Sequence, residues 1–132
     1  MNRRALVLSA RAPGPADAPV TIVAFFDPAC AACRAFHPIA KDIMAQFPDD
    51  MRLVIRYTPF HGQISDTSIK LLEAARMQGK FEPVPNALMA YRNAGAARGA
   101  PDLRKIGQIA ADAGLDLELA MQQIKSPDVI AV

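Results

Sequence analysis

Between Val20 and Phe47 one hydrophobic period gives way to another, and that switch limits the chain to a small set of folds. Val20-Thr21-Ile22-Val23-Ala24-Phe25-Phe26 is a β-branched and aromatic run without polar alternation, the pattern of a strand covered on both faces. Asp27-Pro28 ends it. From Cys30 onward Phe36, Ile39, Ala40, Ile43, Met44 and Phe47 fall on one stripe of an amphipathic helix that Pro48 closes. Pro38, inside that helix, removes one backbone hydrogen bond and bends the axis. Leu53-Val54-Ile55-Arg56-Tyr57 is a second buried-type strand, ended by Thr58-Pro59. Strand, helix and strand joined at this length form a βαβ unit with parallel strands and a right-handed crossover.

Everything after this unit reads as helix. Asp66 is placed to cap a helix through Ile69, Leu72 and Met77 that stops at Gly79, and Pro83 to Tyr91 is a short apolar helix with prolines in its first turn. Pro101-Asp102 starts a third, with Leu103, Ile106, Ile109 and Ala110 inward and Gly114 as its stop. Asp116 caps a fourth, whose inward face is Leu117, Ala120, Met121 and Ile124. Ser126-Pro127-Asp128 opens one more helix with a capping serine, hardly one turn before Val132. Two parallel strands are too few to bury a sheet face on their own. Further strands are therefore expected from outside this stretch, or from another chain.

A length of 132 residues, 52% of them apolar and 21% charged, allows one soluble globular domain. Residues 1–18 read as an N-terminal tail and residues 19–132 as the domain. Asn2-Arg3-Arg4 followed by Ala5-Leu6-Val7-Leu8-Ser9-Ala10 resembles the start of an export signal or anchor, which Arg11 cuts short. No stretch approaches the roughly 18 apolar residues that span a bilayer. The formal net charge of +2 is spread without runs of one sign, which argues against nucleic acid as a partner.

Two cysteines are too few to staple a small domain, so they act as one pair. Cys30-Ala31-Ala32-Cys33 lies where a buried strand turns into a helix N-terminus. There the free N–H groups and the positive end of the helix dipole stabilise a thiolate at Cys30, the form that attacks and leaves in thiol–disulfide exchange. Cys33 is spaced to close a disulfide with it, as the resolving and more buried thiol. Two other readings compete. Cys30, Cys33 and His37, with His61 as a further ligand, supply donors for a soft metal such as Cu or Zn; or both thiols are inert core packing.

The segment Phe25-Phe26-Asp27-Pro28-Ala29-Cys30-Ala31-Ala32-Cys33-Arg34-Ala35-Phe36-His37-Pro38 resembles the active site of the DsbA-like thioredoxin-fold thiol:disulfide oxidoreductases of the bacterial periplasm. Gly14-Pro15-Ala16-Asp17-Ala18-Pro19-Val20 is similar to their lead-in, and the Asp-Pro-x-Cys element also resembles the isomerases DsbC and DsbG. The resemblance implies an α/β, thioredoxin-like (DsbA-type) fold with a helical insertion. It implies catalytic Cys30 and Cys33, supported by Asp27, Pro28, Ala31, Ala32 and His37, with no bound cofactor and no metal beyond the redox-active Cys30–Cys33 disulfide. Asp27 has a further reading as a proton relay for the resolving thiol, beside the plainer one of a helix cap. The implied partners are protein or peptide thiols and disulfides and a membrane redox partner; the implied location is the periplasm, soluble or N-terminally anchored. Exposed sheet edges point to a homodimer or a domain-swapped assembly.

The chain departs from that pattern twice. DsbA-type sites carry Pro-His between the cysteines, where Ala31-Ala32 offers no imidazole, so a less acidic Cys30 and a less oxidising couple are expected. The family's cis-proline loop and following β-hairpin have one local candidate, Val84-Pro85 with Tyr91-Arg92-Asn93-Ala94-Gly95. Asn86-Ala87-Leu88-Met89-Ala90 lacks β-branched residues and reads as helix instead. The expectation is a domain lacking the C-terminal cis-proline half.

Overall fold

The computed structural model describes residues 14–80, 83–91 and 102–130. Strand β1 (Val20–Phe26) leads through a tight turn into helix α1 (Ala31–Gln46), and β2 (Met51–Tyr57) returns parallel to β1. The two strands run in register from Val20 opposite Met51 to Phe26 opposite Tyr57. The expected βαβ unit is therefore present, with β2 starting two residues earlier than its apolar run. Gly14 fixes the approach to this sheet. Its φ is 104°, and a Cβ there would collide with the carbonyl oxygen of Met51, so only glycine lets the lead-in lie against β2.

Burial of β1 differs from expectation. Phe26 is buried and Ile22 and Ala24 are partly so, but Thr21, Val23 and Phe25, which point the other way, are exposed. The strand is covered on one face only, because no described element packs over the other. Along α1 the same holds: Ala40 is buried, while Phe36, Ile39 and Phe47 of the expected inward stripe are exposed. Pro38 sits inside α1 as the sequence indicated.

Helix α2 (Gln63–Met77) starts three residues before Asp66, because Gly62, at a φ of 63°, turns the chain into the helix. Asp66 falls in its first turn and pairs with Lys70 across 2.7 Å. Helices α3 (Pro83–Ala90), α4 (Leu103–Asp112) and α5 (Leu117–Gln123) follow as expected, and α6 (Pro127–Ile130) comes last among the described residues. The main core lies among these helices, built on Leu71, Leu72, Ala74 and Ala75 of α2 with Val84, Leu88, Ile106, Ala110, Leu115 and Ala120. Two expected inward residues, Met77 and Met121, are exposed instead. Val84 and Pro85 are buried in helical α3, and no cis peptide bond occurs among the described residues. Residues 1–13 of the expected tail and residues 92–95 of the candidate hairpin turn lie outside them.

The two capping aspartates behave as their sequence positions require. Asp102 accepts from the N–H groups of Arg104 and Lys105 at 3.1 and 3.3 Å, and Asp116 accepts from Leu119 at 3.0 Å. Ser126 differs: its hydroxyl is buried without a hydrogen-bond partner, and only its carbonyl engages α6, through the Val129 N–H. Asp102→Ala is expected to cost about 1 kcal/mol, the usual worth of an N-cap, read as a lower urea midpoint with an unchanged denaturant slope.

Candidate functional site

At the carboxyl end of β1 the chain makes an Asx turn. Asp27 Oδ1 accepts the Ala29 N–H at 2.9 Å, and the Asp27 carbonyl accepts the Cys30 N–H at 3.0 Å. Arg34 then reaches back from α1, its guanidinium donating to the Ala29 carbonyl at 2.8 Å and the Pro28 carbonyl at 3.4 Å. Together these bonds fix the angle at which α1 leaves the sheet. Cys30 takes the N-cap position, with extended backbone angles, and Cys33 falls in the first turn. Both are partly buried free thiols.

The two sulfurs differ in acidity. Cys30 makes no formal cap hydrogen bond, yet the N–H of Cys33 acts on its sulfur strongly enough to lower its pKa, with help from the Cys33 thiol and the Ala32 N–H and against burial and the Asp27 charge. Cys33 moves the other way. Burial raises its pKa, the backbone N–H of Asp27 opposes, and the Cys30 sulfur and Asp27 carboxylate add to the rise. The helix N-terminus thus makes Cys30 the better thiolate and leaves Cys33 protonated.

Asp27 is the hub. It is 0% exposed, and its Oδ2 accepts the Phe60 N–H, the Ser65 hydroxyl and the ring of His61, each at 2.8 Å. Burial alone would raise the carboxyl; the bonds from His61, Ala29, Phe60 and Ser65 outweigh it and hold the pKa below the ordinary value. Ser65 is buried as well and accepts the His61 N–H at 3.0 Å. The loop between β2 and α2 therefore hangs on the same residue that shapes the Cys30 turn.

The sequence-derived site residues separate into two groups. Asp27, buried Pro28, Ala31, Ala32 and the two cysteines come together at the start of α1. The ring of His37 packs against Phe26, centroids 6.0 Å apart, on an apolar cavity of about 340 Å³ that Leu53, Ile55 and Tyr57 of β2 and Met89 of α3 also line. His61 is committed to Asp27 rather than gathered to the thiols, and among the described residues no three His, Cys, Asp or Glu side chains are grouped to hold a metal. Arg34, His61 as a partner of Asp27, Ser65 and the Phe60 backbone were not legible as site members. Their contacts span up to 38 residues of sequence, and the one local hint was the position of His61 just past a strand's carboxyl end.

Residues 9–131 match the family model described as thioredoxin. The chain belongs to the thioredoxin family. Its fold is that of the DsbA-like thioredoxin-fold proteins. A thioredoxin-like oxidoreductase from Silicibacter pomeroyi is 31% identical, with a TM-score of 0.81 over 99% of this chain and 73% of that one. The thiol-disulfide exchange protein alpha-DsbA2 of Wolbachia pipientis is 20% identical, with a TM-score of 0.74 over 93% of this chain and 63% of that one. A Na(+)/H(+) antiporter NhaA of Herminiimonas arsenicoxydans is 32% identical over 117 residues, which are 89% of this thioredoxin-family chain and 18% of the antiporter. The chain thus spans less than a fifth of the length of that curated relative. No described helix is long and apolar enough to cross a membrane.

Proposed function

We propose that this thioredoxin-family chain exchanges disulfides with protein or peptide substrates through Cys30 and Cys33, without a bound cofactor. The observation that carries the reading is the placement of Cys30 at the N-cap of α1, where backbone N–H groups lower its pKa, with the less acidic Cys33 one turn on. In the oxidising direction a substrate thiolate attacks the Cys30 sulfur, the Cys30–Cys33 bond breaks, and Cys33 leaves and takes up a proton. A second substrate thiolate then displaces Cys30, and the substrate departs as a disulfide. In the reducing or isomerising direction the Cys30 thiolate attacks the substrate disulfide, and Cys33 releases it by closing the intramolecular bond. Asp27 and Pro28 shape the turn, Ala31 and Ala32 supply backbone only, and His37 supports the first half of α1 from the Phe26 side. The proposal extends to a bacterial cell envelope location, a membrane redox partner that resets the couple, and pairing of the open sheet edge and exposed Val23 and Phe25 with another copy.

Equilibration across a series of reduced and oxidised glutathione ratios, followed by a thiol-specific mass tag, tests this. One transition involving both thiols is expected, at a potential below the about −120 mV of a DsbA-type oxidant and within the roughly −180 to −270 mV spanned by disulfide isomerase and thioredoxin, since Ala31-Ala32 gives the Cys30 thiolate no imidazole. Cysteines that stay untagged, or stay free, at every ratio would overturn the reading. The position of the transition separates an oxidase from an isomerase or reductase.

A further inference from the structure

We infer that a substrate polypeptide joined to Cys30 lays its adjoining residues in the groove between α1 and α3, and that the fitting substrates carry an acidic residue beside their cysteine and an apolar one about four or five residues from it. The inference rests on the dithiol exchange proposed above and names the substrate class for that site. Two cavities make up the groove. The outer one, of about 420 Å³, lies between Arg34, Pro38 and Asp42 of α1 and Ala90 of α3. The inner one is the apolar cavity of about 340 Å³ over β2, and the two share His37, Lys41, Asn86 and Met89 in their walls, so they form one continuous space. Its outer end is at the dithiol. Arg34 follows Cys33, its N–H donates to the Cys30 carbonyl at 3.0 Å, and its guanidinium donates at 2.8 Å to the carbonyl of Ala29, the residue before Cys30. Met44 lines the inner end. From Arg34 to Met44 the helix rises about 15 Å, a distance that an extended chain covers in about five residues.

Charge and polarity differ along the groove. The outer part carries Arg34 and Lys41 against one acid, Asp42. Lys41 spans it, its ammonium donating to Asn86 Oδ1 at 3.4 Å, beyond the usual range of such bonds. A carboxylate gives the same ammonium a charged acceptor, and such bonds are shorter and stronger. The inner part is walled by Phe26 and by Leu53, Ile55 and Tyr57, which alternate along β2 and so present one face. It rewards an aliphatic side chain and offers a charged one no compensation for lost water. An apolar chamber with a few polar groups at its mouth is the usual build of a binding site. The exchange step brings the substrate to that mouth. The Cys30 thiolate bonds to the substrate sulfur, the substrate's S–S bond breaks, and the departing sulfur keeps the electron pair and takes up a proton. Until Cys33 displaces it, the substrate is tethered to Cys30, so even weak contacts in the groove act at high effective concentration.

The test uses the reduced chain and short peptides whose single cysteine is held as a disulfide with 2-thiopyridine. Attack by Cys30 on the peptide sulfur releases the thiopyridine, which is read by its absorbance. One peptide has glutamate beside the cysteine and leucine at the far end; a second replaces the glutamate with lysine, and a third replaces the leucine with serine. Each rate is divided by the same peptide's rate with free 2-mercaptoethanol and by the same protein's rate with 2,2′-dithiodipyridine, a reagent too small to fill the groove. Wild type is expected to favour glutamate over lysine by about 10-fold, and leucine over serine by about 10-fold. Lys41→Glu should abolish the first preference and keep the second. Ala45→Leu, which enlarges a side chain on the inner cavity wall, should abolish the second and keep the first. Both positions are exposed on α1, so both variants are expected to fold. A wild-type chain lacking either preference, or a preference that survives the variant meant to remove it, would overturn the inference. No reaction with dithiodipyridine would instead defeat the exchange reading beneath it.

Discussion

Cys33→Ala is expected to turn the chain from an exchanger into a trap. Cys30 keeps its N-cap position and the N–H groups of Ala32 and residue 33, since these are backbone features that the substitution leaves in place. It therefore still attacks a disulfide. Without the second thiol no intramolecular attack can expel the substrate, and a stable one-to-one mixed disulfide through Cys30 should accumulate, visible as a single added mass that dithiothreitol removes. Cys30→Ala should behave in the opposite way. The remaining Cys33 thiol is pushed up by burial and by the Asp27 charge, so its thiolate fraction near neutral pH is small, and its reaction with a disulfide should fall by about 10²-fold relative to Cys30. Equal reactivity of the two single variants would remove the assignment of Cys30 as nucleophile. Mixed disulfides of equal yield in both would do the same.

The asymmetry behind that prediction was legible in the sequence, because it rests on local order alone. A strand that stops at Asp27-Pro28, two cysteines three apart and a helix that begins between them are all read along a few consecutive residues, and the dipole of that helix acts on whichever sulfur stands at its N-cap. The parallel pairing of β1 and β2 was legible for a similar reason: their separation leaves room for one crossover helix and little else. The aspartate caps of α4 and α5 also followed from position, since each precedes an apolar period by one residue.

What the sequence hid is non-local. Asp27 reads most plainly as a helix cap and, beyond that, as a proton relay, but its contacts are set by Phe60, His61 and Ser65, more than thirty residues away. Periodicity identifies the apolar stripe of α1 but not what covers it, so Phe36, Ile39 and Phe47, inward by pattern, stand exposed. The same limit applies to Val23 and Phe25 on β1. An apolar side chain states a preference for burial, and only the neighbouring elements determine whether it is met. The Gly62 start of α2 is obscured in the sequence by Asp66, the stronger cap by residue type four positions on; the φ of 63° at Gly62 is what admits the turn.

Asp27→Ala carries the largest expected cost to stability. The carboxylate is fully buried and accepts from two backbone N–H groups, one hydroxyl and one imidazole. Removing it strands at least the Ser65 hydroxyl and the Phe60 N–H with no acceptor, and opens a void where the oxygens were. A loss of about 3–5 kcal/mol is expected, a large share of the roughly 5–15 kcal/mol that holds a domain of ordinary stability. Asp27→Asn should cost less, about 1–3 kcal/mol, because one oxygen remains while the amide N–H₂ meets a donor where the second oxygen accepted. The pH dependence separates charge from shape. The folded pKa of Asp27 lies below its unfolded value, so the carboxylate's contribution is fully present above the ordinary carboxylate range near pH 4 and is lost as pH falls through the lower folded value. The wild-type urea midpoint should therefore drop across that acid window more steeply than the midpoint of Asp27→Asn, which carries no titrating group at this position. The same variant removes a negative charge that opposes ionisation of both thiols, so alkylation of Cys30 should shift to lower pH while stability falls. A variant that loses stability but leaves the alkylation profile unmoved would show that Asp27 acts on the fold alone and not on the dithiol.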